Sequence, residues 1–296
     1  METEEGLRRY RDAGSWPAED ALAAMLENQF NALVAVRLAL PALAAAVGAA
    51  AARLGDAGRL VYCGAGASGR LAVQDGVELH PTFGWPHARL RYLVAGGEAA
   101  LVRSVEGAED DERAGQAEAE ALRPGRADVF VSVAASGTTR YTRAVQAAAL
   151  RAGSLTVALA NNEGAPLLAE AGHPVLLRTG AEFLAGSTRM TAGTAQKIAL
   201  NLFSTRLMSE LGRVYRGMMV DMAPSNAKLA ARARRMVATI AGASPERAAA
   251  AWSESGGDIK RAVLMLDGLD RAEAEARLAA AGGRLDQARA GPPREG

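Results

Sequence analysis

Residues 58–70 read GRLVYCGAGASGR. The first part, GRLVYCG (58–64), is a short apolar run of the kind that fills a buried strand, and GASGR (66–70) turns the chain into a helix over roughly 69–79. The same alternation recurs downstream. RLRYLVAGG (89–97), ADVFVSVAASG (127–137), SLTVALAN (154–161) and HPVLLRTG (173–180) read as further strands. Between them, 100–122 reads as a helix kinked near Gly107, and 139–153 as a helix closed by Gly153. A long helix over about 193–212 and a shorter one near 224–242 follow. Strands alternating with helices predict an α/β chain whose parallel sheet is covered on both faces.

Outside this block the pattern is helical. Residues 19–53 carry apolar positions at helical spacing, with Pro41 as a helix start or break. The apolar run from Leu38 to Ala52 is interrupted by Pro41 and Gly48 and reads as a soluble helix, not a membrane span. After Ser244 the pattern changes to three short helices. The expected organisation is an N-terminal helical segment (1–57), the main α/β domain (58–242), a three-helix module (243–288) and a flexible tail (289–296).

Composition narrows the function. Of 296 residues, 49% are apolar but only 4% aromatic, so Ala, Leu and Val must build the core. The formal net charge of +1 supplies no field for nucleic acid or an anionic membrane. One cysteine, Cys63, excludes an internal disulfide, and the charged start METEEGLRRYRD has no apolar signal core, which together point to the cytoplasm. The three histidines, His80, His87 and His173, lack metal-ligand spacing, so no metal is expected.

Residues 64–69, GAGASG, match G-x-G-x-x-G between a strand and a helix. A dinucleotide site also needs an acidic residue at the end of the next strand, and that strand ends in VAGG. The loop still suits an anion: Gly66 and Gly69 permit close backbone approach, a helix N-terminus offers N–H groups, and Ser68 adds a hydroxyl. Alternatively the glycines only permit a tight turn. The next strand ends similarly, with Ser136, Gly137, Thr138 and Thr139 at a helix start, where they serve as N-caps or share a phosphate pocket with the first loop. A third polar stretch, 186–197, with Ser187, lines the same crevice or caps the long helix. For acid–base work there are two candidates. Glu78 stands between Val77 and Leu79, where partial burial would favour the protonated form. Glu109 lies in the charge run SVEGAEDDE, which read alone is a solvated face.

The run GAGASGRLAVQDGVELHPTFG (64–84) resembles the signature of N-acetylmuramic acid 6-phosphate etherases, within the sugar isomerase (SIS) superfamily. The similarity continues through AGGEAALVRSVEGAEDD (95–111), VAASGTTRYT (133–142) and the long block 180–229. It implies an SIS-type three-layer sandwich with a five-stranded parallel sheet flanked by helices, a small C-terminal helical module, and a homodimer. It also implies lactyl ether cleavage from a phosphorylated amino sugar by elimination and water addition, with no cofactor. The family's proton-donor glutamate falls on Glu78 and its second catalytic glutamate on Glu109; Ser68, Ser136 and Thr139 match the positions that hold the 6-phosphate. This chain departs at Ala67 (usually Thr), at Leu79 and His80 (usually Cys and Pro), at Thr138 and Arg140 (usually Arg and Pro) and at Thr191 (usually Lys). A non-catalytic sugar-phosphate sensor and an aldose–ketose isomerase are the alternatives on the same fold; retention of Glu78 and Glu109 favours the enzyme over the first, and the 186–229 block over the second.

Overall fold

The computed structural model describes residues 1–291; residues 292–296, most of the expected tail, lie outside the described residues. The chain parts into two compact units, Met1–Gly76 with His87–Thr205, and Val77–Pro86 with the chain from Arg206 onward. In chain order the first elements are α1 (Ala18–Leu54), β1 (Leu60–Gly64), α2 (Gly66–Val77), α3 (Leu79–Phe83), β2 (Leu90–Val94), α4 (Ala99–Val102), α5 (Glu112–Ala121) and β3 (Val129–Val133). Then come α6 (Arg140–Arg151), β4 (Leu155–Ala160), α7 (Pro166–Ala169), β5 (His173–Leu176) and α8 (Thr191–Glu210).

In the first unit, five parallel strands form one sheet in the order β2-β1-β3-β4-β5. Every residue of β1, β3 and β4 is buried, as expected for strands covered on both faces. Side chains alternate across the sheet. Val61, Cys63, Leu93 and Phe130 point to one face and pack with Ala119 of α5 and with Tyr141, Val145, Ala148 and Ala149 of α6. Tyr62 points to the other face, where its hydroxyl donates to Asp75 of α2 at 2.7 Å. The same carboxylate accepts from Asn201 Nδ2 at 2.6 Å and Ser204 Oγ at 3.0 Å, so one buried acid joins β1, α2 and α8. Burial, then the adjacent Asp75 carboxylate, push the Tyr62 hydroxyl well above its usual range, which keeps it a donor. Burial likewise pushes the Cys63 thiol up to about 12, so this cysteine is a packing residue and not a nucleophile.

Three expectations change. Pro41 neither starts nor breaks a helix: it lies inside α1, on an exposed position where water can serve the carbonyl its ring leaves unpaired. The helix expected over 100–122 is two, α4 and α5. Gly107 adopts a left-handed conformation (φ +69°) and Asp111 caps a new helix by accepting from Ala114 N–H at 2.9 Å. Among the described residues after Ser244 there are four helices where three were expected.

The second unit contains α3, a hairpin of β6 (Val214–Tyr215) and β7 (Met218–Met219), then α9 (Ala227–Ala241), α10 (Pro245–Glu254), α11 (Ile259–Leu266), α12 (Arg271–Ala280) and α13 (Leu285–Ala290). The hairpin turns on Arg216 and Gly217, both at positive φ (48° and 75°), the combination a two-residue primed turn requires. Val220, Met236, Val237, Ile259, Val263 and Leu285 form its core.

α1 lies along β3, β4 and β5. By length and composition it is the one described helix that could cross a membrane, with 39% of its most apolar window buried within the chain. Ala32, Ala35, Val36, Ala39, Leu43 and Val47 are buried, whereas Leu22, Leu26, Phe30, Leu33, Val34 and Leu38 stay exposed, up to 75% at Leu38. The helix is thus apolar on two faces, one of them uncovered in this chain.

Candidate active site

Chain order and sheet order together locate the site. β1 is flanked by β2 and β3, so the direction of winding reverses between β1 and β3. A crevice opens at such a reversal, beyond the carboxyl ends of the strands. The two polar loops leave these two strands, whose ends are in register: Gly64 pairs with Val133.

The first loop enters α2 directly. Gly66 is left-handed (φ +53°). A Cβ on Gly69 would stand 2.9 Å from Gly64 O, so the glycines at 64 and 69 let the helix start against the strand. Ser68 is buried in the first turn, with the backbone N–H groups that open the helix. In the second loop, Ser136 Oγ accepts from Thr138 N–H at 3.2 Å and from its hydroxyl at 3.0 Å. Thr139 is the N-cap residue of α6, yet its side chain makes no capping bond, so capping does not account for its hydroxyl. Gly137 has φ +69°, and a Cβ there would meet Ala165 Cβ at 2.4 Å. Gly137→Ala should therefore cost about 2–4 kcal/mol through strain and overpacking, read as a lower urea midpoint in equilibrium unfolding.

A cavity of about 410 Å³ lies against the first loop. Gly66 and Arg70 line it with Ala95, Ala100 and the run from Ser104 to Glu109. The structure thereby brings Glu109, which read alone is a solvated residue, into one cavity with the glycine-rich loop. Gly107, in its left-handed conformation, precedes the short turn Ala108–Asp110 that carries Glu109. Arg70, which sequence reading passed over, follows GASG immediately, and that adjacency was the available signal.

Ser187 is half-buried in the loop before α8 and does not cap that helix. The cap comes from Glu182, fully buried, whose carboxylate accepts from Thr191 N–H at 2.9 Å and Ala192 N–H at 2.8 Å. Glu182 sits between Ala181 and Phe183 with no spacing signal to mark it. Glu78 belongs to the second unit, between α2 and α3. Leu79 is buried, but Glu78 is exposed and Val77 is 49% exposed, so the burial expected from its neighbours is not made within this chain.

The profile of the glucokinase regulatory protein N-terminal SIS domain matches residues 42–150. An N-acetylmuramic acid 6-phosphate etherase of Deinococcus radiodurans is 51% identical over 286 residues, covering 96% of this chain and 94% of that protein. The chain belongs to the N-acetylmuramic acid 6-phosphate etherase family. A second etherase of that name, from Cutibacterium acnes, is 44% identical over 90% of this chain and 88% of its own length. A solved phosphoheptose isomerase from Francisella tularensis superposes with a TM-score of 0.53 at 18% identity, covering 66% of this chain and all of that one, and bears out the SIS-type fold. The departures from the family pattern now have surroundings. Ala67 lies half-buried in the first turn of α2, and Thr191 is fully buried, its hydroxyl donating to Asn28 Oδ1 at 2.6 Å.

Proposed function

We propose that this chain is a carbon–oxygen lyase that cleaves the D-lactyl ether of N-acetylmuramic acid 6-phosphate, giving N-acetylglucosamine 6-phosphate and D-lactate in amino-sugar recycling. The observation that carries the reading is the cavity shared by Glu109 and the glycine-rich loop, in a chain half identical to a protein named for this activity.

The 6-phosphate is held by Ser68, Ser136, Thr138 and Thr139 with the N–H groups around Gly66, Gly69 and Gly137, a cradle of hydroxyls and helix N-termini suited to a dianion; Ser187 contributes from the loop before α8. The sugar reacts as its open-chain aldehyde, which acidifies the C2 proton. Glu109 removes that proton, Glu78 protonates the ether oxygen as lactate leaves C3, and water adds to the unsaturated aldehyde at C3. Each carboxyl contributes about 10²–10⁴ in rate as a general acid or base. Incubation with N-acetylmuramic acid 6-phosphate should release D-lactate; sugar-phosphate binding without lactate would favour a sensor instead.

The working form is a cytoplasmic homodimer. The uncovered apolar face of α1, from Leu22 to Leu38, supports a second copy as its cover, since a stripe of that length is costly to leave in water. The long helix α8 buries Ala192, Ala195, Ala199, Leu200, Phe203, Leu207 and Met208 within the chain and leaves Leu202 43% exposed, a smaller apolar surface than that of α1. Light scattering at micromolar concentration should give twice the chain mass, and Leu26→Glu with Leu38→Glu should give the monomer mass; a monomeric parent protein would refute the dimer.

A further inference from the structure

The cavity beside the glycine-rich loop holds one feature the phosphate cradle and the glutamates do not use. Arg70 projects from the second turn of α2 and is half-buried. Its Nε donates to Ala100 O at 2.9 Å and one Nη to Arg103 O at 3.3 Å. Both acceptors belong to the last turn and C-cap of α4, directly before the run Ser104–Glu109 that lines the cavity. The other Nη donates to no acceptor, and Arg70 forms no ion pair, among the described residues. It is the one cation on the cavity wall, and the other charged groups lining that wall are Glu106 and Glu109.

A clamped guanidinium with a spare donor edge is a carboxylate receptor prepaid in side-chain entropy, because its fork is already fixed by two backbone carbonyls. The proposed substrate carries one carboxylate, on the lactyl group, and the product sugar carries none. The phosphate already has a neutral cradle at the mouth of α2, one helical turn away from Arg70. We propose that Arg70 is the specificity-determining residue that receives the lactyl carboxylate, selecting the ether substrate over the lactate-free sugar phosphate. This rests on the etherase reading above. Holding that carboxylate orients the C3–O bond beside Glu109, and it leaves the product with one anchor fewer, which favours release.

The test compares three ligands: N-acetylmuramic acid 6-phosphate, its lactyl-amide analogue, and N-acetylglucosamine 6-phosphate. In the wild-type protein the acid should bind about 30-fold more tightly than the amide. Arg70→Gln should raise KM for the acid by about 30-fold, abolish the acid–amide preference, and change N-acetylglucosamine 6-phosphate affinity less than about twofold. Arg70→Lys, which keeps the charge and loses the fork, should recover part of the preference. Equal weakening of all three ligands by Arg70→Gln, or a wild-type protein indifferent to acid and amide, would overturn the assignment. Should Arg70→Gln fail to fold, Arg70→Lys decides: an acid–amide preference undiminished from wild type would overturn the assignment. Binding is read by calorimetry, so a protein that releases no lactate, yet prefers the acid and loses that preference in Arg70→Gln, refutes the enzyme reading and keeps Arg70 as the carboxylate receptor.

Discussion

Glu78→Gln should lower D-lactate release by about three orders of magnitude, while the affinity for N-acetylglucosamine 6-phosphate should change less than threefold. The change keeps the size of the side chain and removes the one proton that the departing lactate oxygen needs. Lactate is a poor leaving group as an alkoxide, so the barrier to C3–O cleavage depends strongly on that proton. Glu78 is exposed within the chain, and neither Val77 nor Leu79 covers it. Steady-state lactate assays with isothermal titration of the product sugar check the expectation. Full lactate release by Glu78→Gln would remove the proton-donor assignment.

The second large effect is expected at Glu109. Glu109→Gln should lower turnover by about 10²–10⁴-fold and should also stop exchange of the sugar's C2 proton with solvent. Proton NMR in deuterated buffer separates these readouts. The wild-type protein should deliver product carrying deuterium at C2. The variant should leave substrate undeuterated over many wild-type turnovers. Wild-type exchange at C2 in Glu109→Gln would assign that proton to another base and leave Glu109 with the attacking water alone.

How far the sequence reached can be followed residue by residue. The strands were readable as short apolar runs bounded by glycines and polar turns; β1, β3 and β4 are buried throughout, while the edge strands β2 and β5 are buried only in part. The glycine loop was readable because close strand–helix approach at Gly64 and Gly69 forbids a Cβ. Errors came where tertiary context overrides a local rule. Pro41 is tolerated mid-helix because its position faces water. The hairpin at Val214–Met219 is too short for periodicity to register, and its only mark is the pair Arg216-Gly217.

The site divides the same way. Ser68 and the Ser136–Thr139 loop follow from strand-end chemistry, and adjacency of β1 and β3 gives them a common crevice mouth. Glu109 looks like one more acid in a charge run; the family resemblance marks it, and the fold brings it together with Glu106 to the cavity beside the glycine loop. Glu78 is marked by its apolar neighbours and given its role by the family resemblance; the burial inferred from those neighbours fails, since Glu78 is exposed and Val77 is 49% exposed. Glu182 has no sequence signal, and Arg70 has only its adjacency to GASG. Their partners, the N–H groups of Thr191 and Ala192 and the carbonyls of Ala100 and Arg103, are backbone atoms that no residue type announces.

One measurement bears most directly on the etherase mechanism. Turnover of N-acetylmuramic acid 6-phosphate in H₂¹⁸O, followed by mass spectrometry of both products, locates the broken bond. Elimination and hydration predict ¹⁸O on C3 of N-acetylglucosamine 6-phosphate and unlabelled D-lactate, in equal amounts. Label in the lactate, or no lactate at all, would contradict the account.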